Sequence, residues 1–371
     1  MAKAKYKLYA DGYYRTRAWD GTYNPDGSKH RINLKSKKSS KDLEQKVNEL
    51  KMQIAEQSYI KPTDITFCEY ADQWLTLYKA TCSNNTKAMY KNIIDAHMSV
   101  LEGVLLRDIS RLHLQQIINN AAQEPRTCQQ IMLTFKQILK SAIADNYLPE
   151  KAGHIVDMVS SPKYVPPKKR PLTPEEIKAV QLADLSPMDR TYIYILYGCG
   201  LRRGEVLALQ PSDIRLKTSE LTVRRALEFI GNNPAIKSPK SSNGVRTVPM
   251  PPYLVKHLQD YLPKLRSNYL IHGQSGSLMT KSAYRRMWER ILLKLNLAAG
   301  GTENLWKIHG LTAHIFRHNY CTQLCYQIPA ISTKQIAELM GDREEMVIKV
   351  YSHIIAEKED VTGAVNTAVS L

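Results

Sequence analysis

Fifteen residues near the middle of the chain, S-S-P-K-Y-V-P-P-K-K-R-P-L-T-P at 160–174, contain five prolines. Proline lacks a backbone donor and breaks an α-helix, so neither a helix nor a central strand continues through this stretch. A chain of 371 residues divided in this way builds separate cores on either side, with room for two or three domains. The stretch 161–173 is expected to be a stiff, extended linker.

Upstream of it, residues 4–35 alternate polar and apolar positions in aromatic-rich runs, Y-K-L-Y-A and Y-Y-R-T-R-A-W. Turn signals at Asp11-Gly12 and Pro25-Asp26-Gly27 separate them, and the pattern predicts a three-stranded sheet. A helix follows at about 39–57, capped by Ser39 or Ser40, with Leu43, Val47, Leu50 and Ile54 on one face. Sheet and helix form a first domain over 1–60. Residues 62–160 read as helical throughout, with Phe67, Tyr70, Ala71, Trp74 and Leu77 as one apolar stripe. Three more helices are expected over 84–100, 112–122 and 126–145. The fold class is therefore multidomain α+β. It comprises a small β-sheet-plus-helix N-terminal domain, an all-α domain, and a mixed, mainly-α domain with a small antiparallel sheet.

Charge narrows the partner. A net charge of +17 implies a polyanion, although a generally basic surface would give the same sum. Tyr14, Arg15, Arg17 and Trp19 belong to a sheet that suits a DNA groove, or else a solvated sheet face. Lys87, Lys91 and His97 share a helix face suited to phosphate contacts, or to water. Lys163, Lys168, Lys169 and Arg170 make the linker basic, as a tether running along a duplex would be; a plain linker has no need of that charge. No apolar run is long enough to cross a bilayer, and the basic start M-A-K-A-K-Y-K leads into no hydrophobic core. The six cysteines are scattered without a C-x-x-C pair, which reads as reduced thiols in a cytoplasmic protein; neither they nor the carboxylates suggest a metal or another cofactor.

Beyond the linker, T-P-E-E caps a helix at 173, and an apolar helix over 189–198 ends at Gly198 to Gly200. Arg202 then sits in a turn before a helix at 204–210, where a fixed charge beside free backbone donors makes a phosphate site. Glu205 is expected to orient the arginines or cap that helix. L-T-V-R-R-A-L-E-F-I is a strand, and 236–250 reads as a hairpin turning at Asn243-Gly244. Helices follow at 251–266 and about 280–297. Next comes H-G-L-T-A-H-I-F-R-H-N-Y from His309, in which His314 and Arg317 lie one helical turn apart and point toward one object. An arginine fork is suited to binding phosphate oxygens in two places. Ser332 to Gln335 reads as a capping box, Gly341 as a helix stop, and a last helix carries Tyr351 in K-V-Y-S-H-I.

Three boxes in this order, Y-G-C-G-L-R-R-G-E-V-L-A-L, H-I-F-R and Y-S-H, resemble those of the tyrosine recombinases, the integrase family of phages and conjugative transposons. The resemblance is carried by the last two hundred residues or so, with the first 170 matching in layout. It implies an arm-type DNA-binding domain at 1–60, a core-binding domain at 62–160, a catalytic domain at 174–353 and a tail at 354–371 that docks on a neighbouring protomer. It further implies that Tyr351 attacks a DNA phosphodiester to give a 3′-phosphotyrosyl link. Arg202 and Arg317 meet the added negative charge, and His314 bonds the phosphate or takes the phenol proton. The family's lysine precedes an R-x-[IV]-P strand, here Arg246 to Pro249. That position implies Lys240 as general acid, with Lys237 its competitor.

The implied assembly is a homo-tetramer on double-stranded DNA with core and arm-type sites, aided by an excisionase or DNA-bending protein, without cofactor and without membrane. One position departs from the pattern: where family members carry L-G-H, with His or Trp at the last place, this chain has Leu339-Met340-Gly341-Asp342. Asp342 is expected to cap the next helix, or to pair with an active-site cation, or to mark a weakened relative. His353, two residues after Tyr351, is a partial substitute. Two further readings remain open: a chromosome-resolving recombinase, and a DNA-binding or architectural protein whose pocket has decayed.

Overall fold

The chain packs as two units, Met1–Pro166 and Pro167–Leu371, in the computed structural model. The structure describes residues 4–23, 26–56, 59–60, 64–166, 170–237 and 244–358, the side chains of 353–358 excepted. Lys168, Lys169, Lys240, the Asn243 turn and the tail beyond 358 lie outside the described residues, as does the side chain of His353.

In the first unit, β1 (Tyr14–Tyr23) and β2 (Lys29–Ser36) pair antiparallel, Tyr14 opposite Ser36 and Trp19 opposite Arg31. The expected third strand is reduced to a single bridge between Leu8 and Tyr14. The reason lies in its donors: the Tyr6 N–H goes to the Ser40 hydroxyl at the start of the next helix instead of to the sheet. That helix, α1 (Ser40–Ala55), is capped by Ser39 and buries Leu43, Val47 and Leu50. Strand alternation separates the grouped candidates. Arg15, Arg17 and Trp19 share one face, and Tyr14 belongs to the other. Arg15 is exposed, lies over the rings of Tyr9 and Tyr13, and pairs with Asp11.

Helices α2 (Phe67–Tyr78), α3 (Asn84–Ile93), α4 (Arg111–Asn120) and α5 (Pro125–Ala144) bury Phe67, Trp74 and Phe135 in one core. Tyr70 and Tyr78 both donate to Asp145, at 2.6 Å each, closing α2 onto the end of α5. The helix expected over 84–100 changes character after Ile93. A π turn at Ile94–Met98 inserts backbone, buries Ile94 and Met98, and takes His97 off the register of Lys87 and Lys91. Lys91 pairs with Asp95 at 3.0 Å.

The second unit starts with α6 (Pro174–Leu182), whose cap Thr173 and Glu176 form a capping box. Arg170 grips that Glu176 through two hydrogen bonds of 2.6 and 2.7 Å. Helix α7 (Pro187–Cys199) buries Tyr192, Ile193 and Leu196, and ends at Gly200 in the left-handed region, φ 61°. Helix α8 (Arg203–Leu207) is shorter than expected. Strands β3 (Ile214–Arg215), β4 (Glu220–Val223) and β7 (Arg246–Pro249) form one sheet in the order β3-β4-β7, while β5 (Ala226–Ile230) and β6 (Asn233–Lys237) form a separate hairpin.

The single strand read at 221–230 is thus broken at Arg224 and Arg225, which reach back to the buried carboxylate of Asp213 at 3.8 and 2.6 Å. The hairpin turns at Gly231-Asn232, with Gly231 at φ 61°, and β6 pairs with β5 instead of with β7. Helices α9 (Pro252–Tyr261), α10 (Lys281–Ala298), α11 (Ala313–Cys325), α12 (Thr333–Met340) and α13 (Glu344–Lys358) complete the unit.

Gly204 sets the approach of α8 to β5. A Cβ there would sit 2.4 Å from the backbone oxygen of Leu227, and backbone gives way less readily than a side chain. Gly204→Ala should lower stability by about 1–3 kcal/mol. An unchanged thermal midpoint would show that α8 and β5 adjust freely.

Candidate functional site

Four elements bring the site together. Arg202 caps α8: its backbone N–H donates to Glu205 Oε2 at 2.9 Å and its Nη1 to Glu205 Oε1 at 3.0 Å. The Arg202 amide is thus taken by Glu205, while its Nη2 is directed at the Gly341 carbonyl and Asp342. Arg246 enters from β7. The alternation of that strand turns it inward with Val248, and it meets Glu205 through Nη1 at 3.2 Å and Nη2 at 2.8 Å. Both expectations for Glu205 hold, since it orients arginines and closes the helix start.

Arg317 comes from the buried face of α11 and is 2% exposed. It donates to Gly200 O at 2.9 Å and to Met340 O at 2.6 Å. The approach is possible because α7 ends in Gly200, whose missing Cβ would lie 2.3 Å from the Tyr320 ring on α11. Three carbonyls at the end of α12 receive guanidinium donors: Leu339 from Arg246, Met340 from Arg317 and Gly341 from Arg202. A helix C-terminus presents unpaired carbonyls, so cations are stabilised there. Burial, with the charge of Arg202 next, pulls the Arg317 guanidinium down to about 10, which leaves it protonated at neutral pH.

Asp342 does not cap α13. Its Oδ2 accepts from Arg202 Nη2 at 3.1 Å and from Arg317 Nη2 at 3.0 Å, while Oδ1 accepts the adjacent Arg343 N–H. Burial opposes ionisation of this carboxyl, but the Arg317 hydrogen bond and charge, with Arg202, outweigh it and hold it below the usual range. Glu205 is likewise held low: burial raises it, and the Arg246 bond and charge prevail.

His314 is exposed one turn before Arg317, so the two residues of H-x-x-R divide between solvent and core. Tyr351 is half-buried and packs on a small cluster of Cys321, Cys325, Ile336, Ala337, Met340 and Val347, built by α11, α12 and α13. Lys237 is held across the hairpin by Glu228 at 2.9 Å. The part played by Arg246 went unremarked in the sequence beyond its match to R-x-[IV]-P. The available signal was a charged residue two positions from an inward Val248. All six cysteines are free thiols. Among the described residues there is no gathering of three or more His, Cys, Asp or Glu side chains suited to a metal, and no helix long and apolar enough to cross a membrane.

The fold is that of a tyrosine recombinase. The sequence profile of the phage integrase family matches residues 172–358, and that of the phage integrase N-terminal SAM-like domain matches 66–121. The chain belongs to the phage integrase family. It is 24% identical over 309 residues to a tyrosine recombinase XerC-like protein of Caldanaerobacter subterraneus subsp. tengcongensis, an alignment covering 75% of each chain. In fold it is similar to the Tn1549 transposon integrase in complex with a circular intermediate DNA, at TM-score 0.65 and 20% identity, covering 77% of this chain and 95% of that one. It is also similar to the lambda integrase tetramer bound to a Holliday junction, at TM-score 0.56 and 16% identity, covering 93% of each.

Proposed function

We propose that this chain is an integrase that cleaves and rejoins DNA at specific sites through a 3′-phosphotyrosyl intermediate, and so inserts and excises a mobile element. The observation that carries the reading is the convergence of Arg202 and Arg317 on one anion, the Asp342 carboxylate, at 3.1 and 3.0 Å. Two forks charged at neutral pH and set at that spacing suit a phosphate whose charge grows in the transition state. The Tyr351 oxygen bonds to phosphorus and the 5′-oxygen leaves, taking a proton from Lys240. His314 hydrogen-bonds the phosphate or accepts the phenol proton. The bond is exchanged and later re-formed by a second 5′-hydroxyl, so the step requires no ATP. The engagement of Lys237 by Glu228 favours Lys240 as the acid.

In the same reading, residues 1–60 hold arm-type sites through Arg15 and Arg17, with Tyr14 on the opposite face of the sheet. Residues 62–160 hold the core site, with phosphate contacts from Lys87 and Lys91, and Lys168 and Lys169 follow the duplex between the domains. The lambda neighbour's tetramer on a Holliday junction supports a tetrameric assembly, in which residues 354–371 would dock on a neighbouring protomer. An excisionase or DNA-bending partner, and work in the cytoplasm where the DNA lies, complete the proposal. The test is covalent trapping. The full chain, incubated without metal or ATP with a nicked duplex carrying the repeat that flanks its element, should give a DNA-linked band on a denaturing gel. Specific binding without that band would favour a DNA-binding protein with a decayed pocket.

A further inference from the structure

Asp342 is surrounded by cations that do not depend on it. Arg317 is fixed by the carbonyls of Gly200 and Met340, and Arg202 by Glu205 and the carbonyl of Gly341. Both guanidinia therefore have anchors besides the carboxylate. Three arginines and two carboxylates meet here, a balance of one positive charge. Without Asp342 the balance would be two, enough to hold a phosphodiester and remain positive. The carboxylate also lies on the open side: the side chains of Asp342 and Arg202 are 32% and 42% exposed, whereas Arg317 behind them is 3% exposed. The single oxygen Oδ2, accepting from both forks, stands where one phosphate oxygen shared between them would stand.

We propose that Asp342 is the resident anion of the cradle, filling the phosphate position between Arg202 and Arg317 and vacating it when DNA enters, so that it restrains the site until a phosphate outcompetes it. This rests on the integrase reading for the identity of the incoming group, though not for the exchange itself. A cradle free for only a tenth of the time binds its ligand about tenfold more weakly than an open one. The backbone link helps the exchange, because Asp342 follows Gly341, in the left-handed region at φ 58°, and precedes the first turn of α13. Its release would require no break in either helix.

The experiment titrates inorganic phosphate into the full chain and follows the thermal midpoint, for wild type, Asp342→Asn, Asp342→Ala and the double variant Asp342→Asn with Arg202→Ala. Both single variants should bind phosphate about tenfold more tightly or better, and the double variant should lose the gain. Equal affinity in wild type and Asp342→Asn would overturn the proposal, as would a gain that survives loss of Arg202. So would failure of both single variants to fold, which would make Asp342 a structural tie. The two readings separate cleanly. A Tyr351-dependent DNA adduct without a phosphate gain removes only the restraint, and a phosphate gain without an adduct removes only the recombinase chemistry.

Discussion

Tyr351→Phe should bind its DNA within about twofold of wild type and give no DNA-linked band at all. The substitution removes one oxygen and keeps the ring that packs against Cys321, Cys325 and Met340, so the cluster and the fold should survive it. Covalent catalysis has no fallback here, since water attack would hydrolyse the strand and leave no protein attached. The informative companion is Arg317→Lys. An ammonium retains the charge, but it cannot serve Gly200 O, Met340 O and a phosphate in one plane as a guanidinium does. Losing such a donor costs about a hundredfold to a thousandfold in rate, so adduct formation should slow by that factor while binding persists. A band that remains in Tyr351→Phe would point to another nucleophile and would remove the role assigned to α13.

Glu205→Gln should cost the C-terminal unit about 3–5 kcal/mol, read from urea unfolding of the full chain. Glu205 and Arg246 are 7% and 6% exposed, and they meet at 2.8 Å. An amide cannot neutralise them, so the guanidinium of Arg246 would be left buried beside two others. Replacing both partners, as Glu205→Leu with Arg246→Met, should recover most of that stability, because a buried pair contributes less than the cost of breaking it one-sidedly. The recovered protein should still fail to form adduct, since Arg202 then lacks its orienting carboxylate. A single-variant loss below about 1 kcal/mol would show that water reaches the pair and screens it. Acid should act in the same direction. A carboxyl held below its unfolded value stabilises the fold above that value, about 4.3 for Glu, and the benefit is lost as pH falls through the folded one.

The sequence by itself determined what is local in cause. Helix starts were readable because a cap and its partner lie three residues apart, as in Thr173 with Glu176 and Ser332 with Gln335. The stops at Gly200 and Gly341 were readable because only a residue without Cβ takes the left-handed turn at no cost. The family was legible from three short boxes, which carry Arg202, His314, Arg317 and Tyr351, whereas Lys240 was inferred from the R-x-[IV]-P strand that follows it. Strand pairing in the second unit was not legible. A run such as L-T-V-R-R-A-L-E-F-I has strand period throughout, and its division at Arg224 and Arg225 depends on Asp213, which lies elsewhere in the fold.

Only the tertiary structure decided what Asp342 does. A capping aspartate and an ion-paired one look alike in sequence, and the choice depends on what faces it across space. Arg202 lies 140 positions away and Arg317 25, and both arrive because Gly200 lets α7 close against Tyr320 on α11. One buried and one half-exposed guanidinium offer a carboxylate more than the solvent-facing amides of a helix start do, so the charge pair wins over the cap.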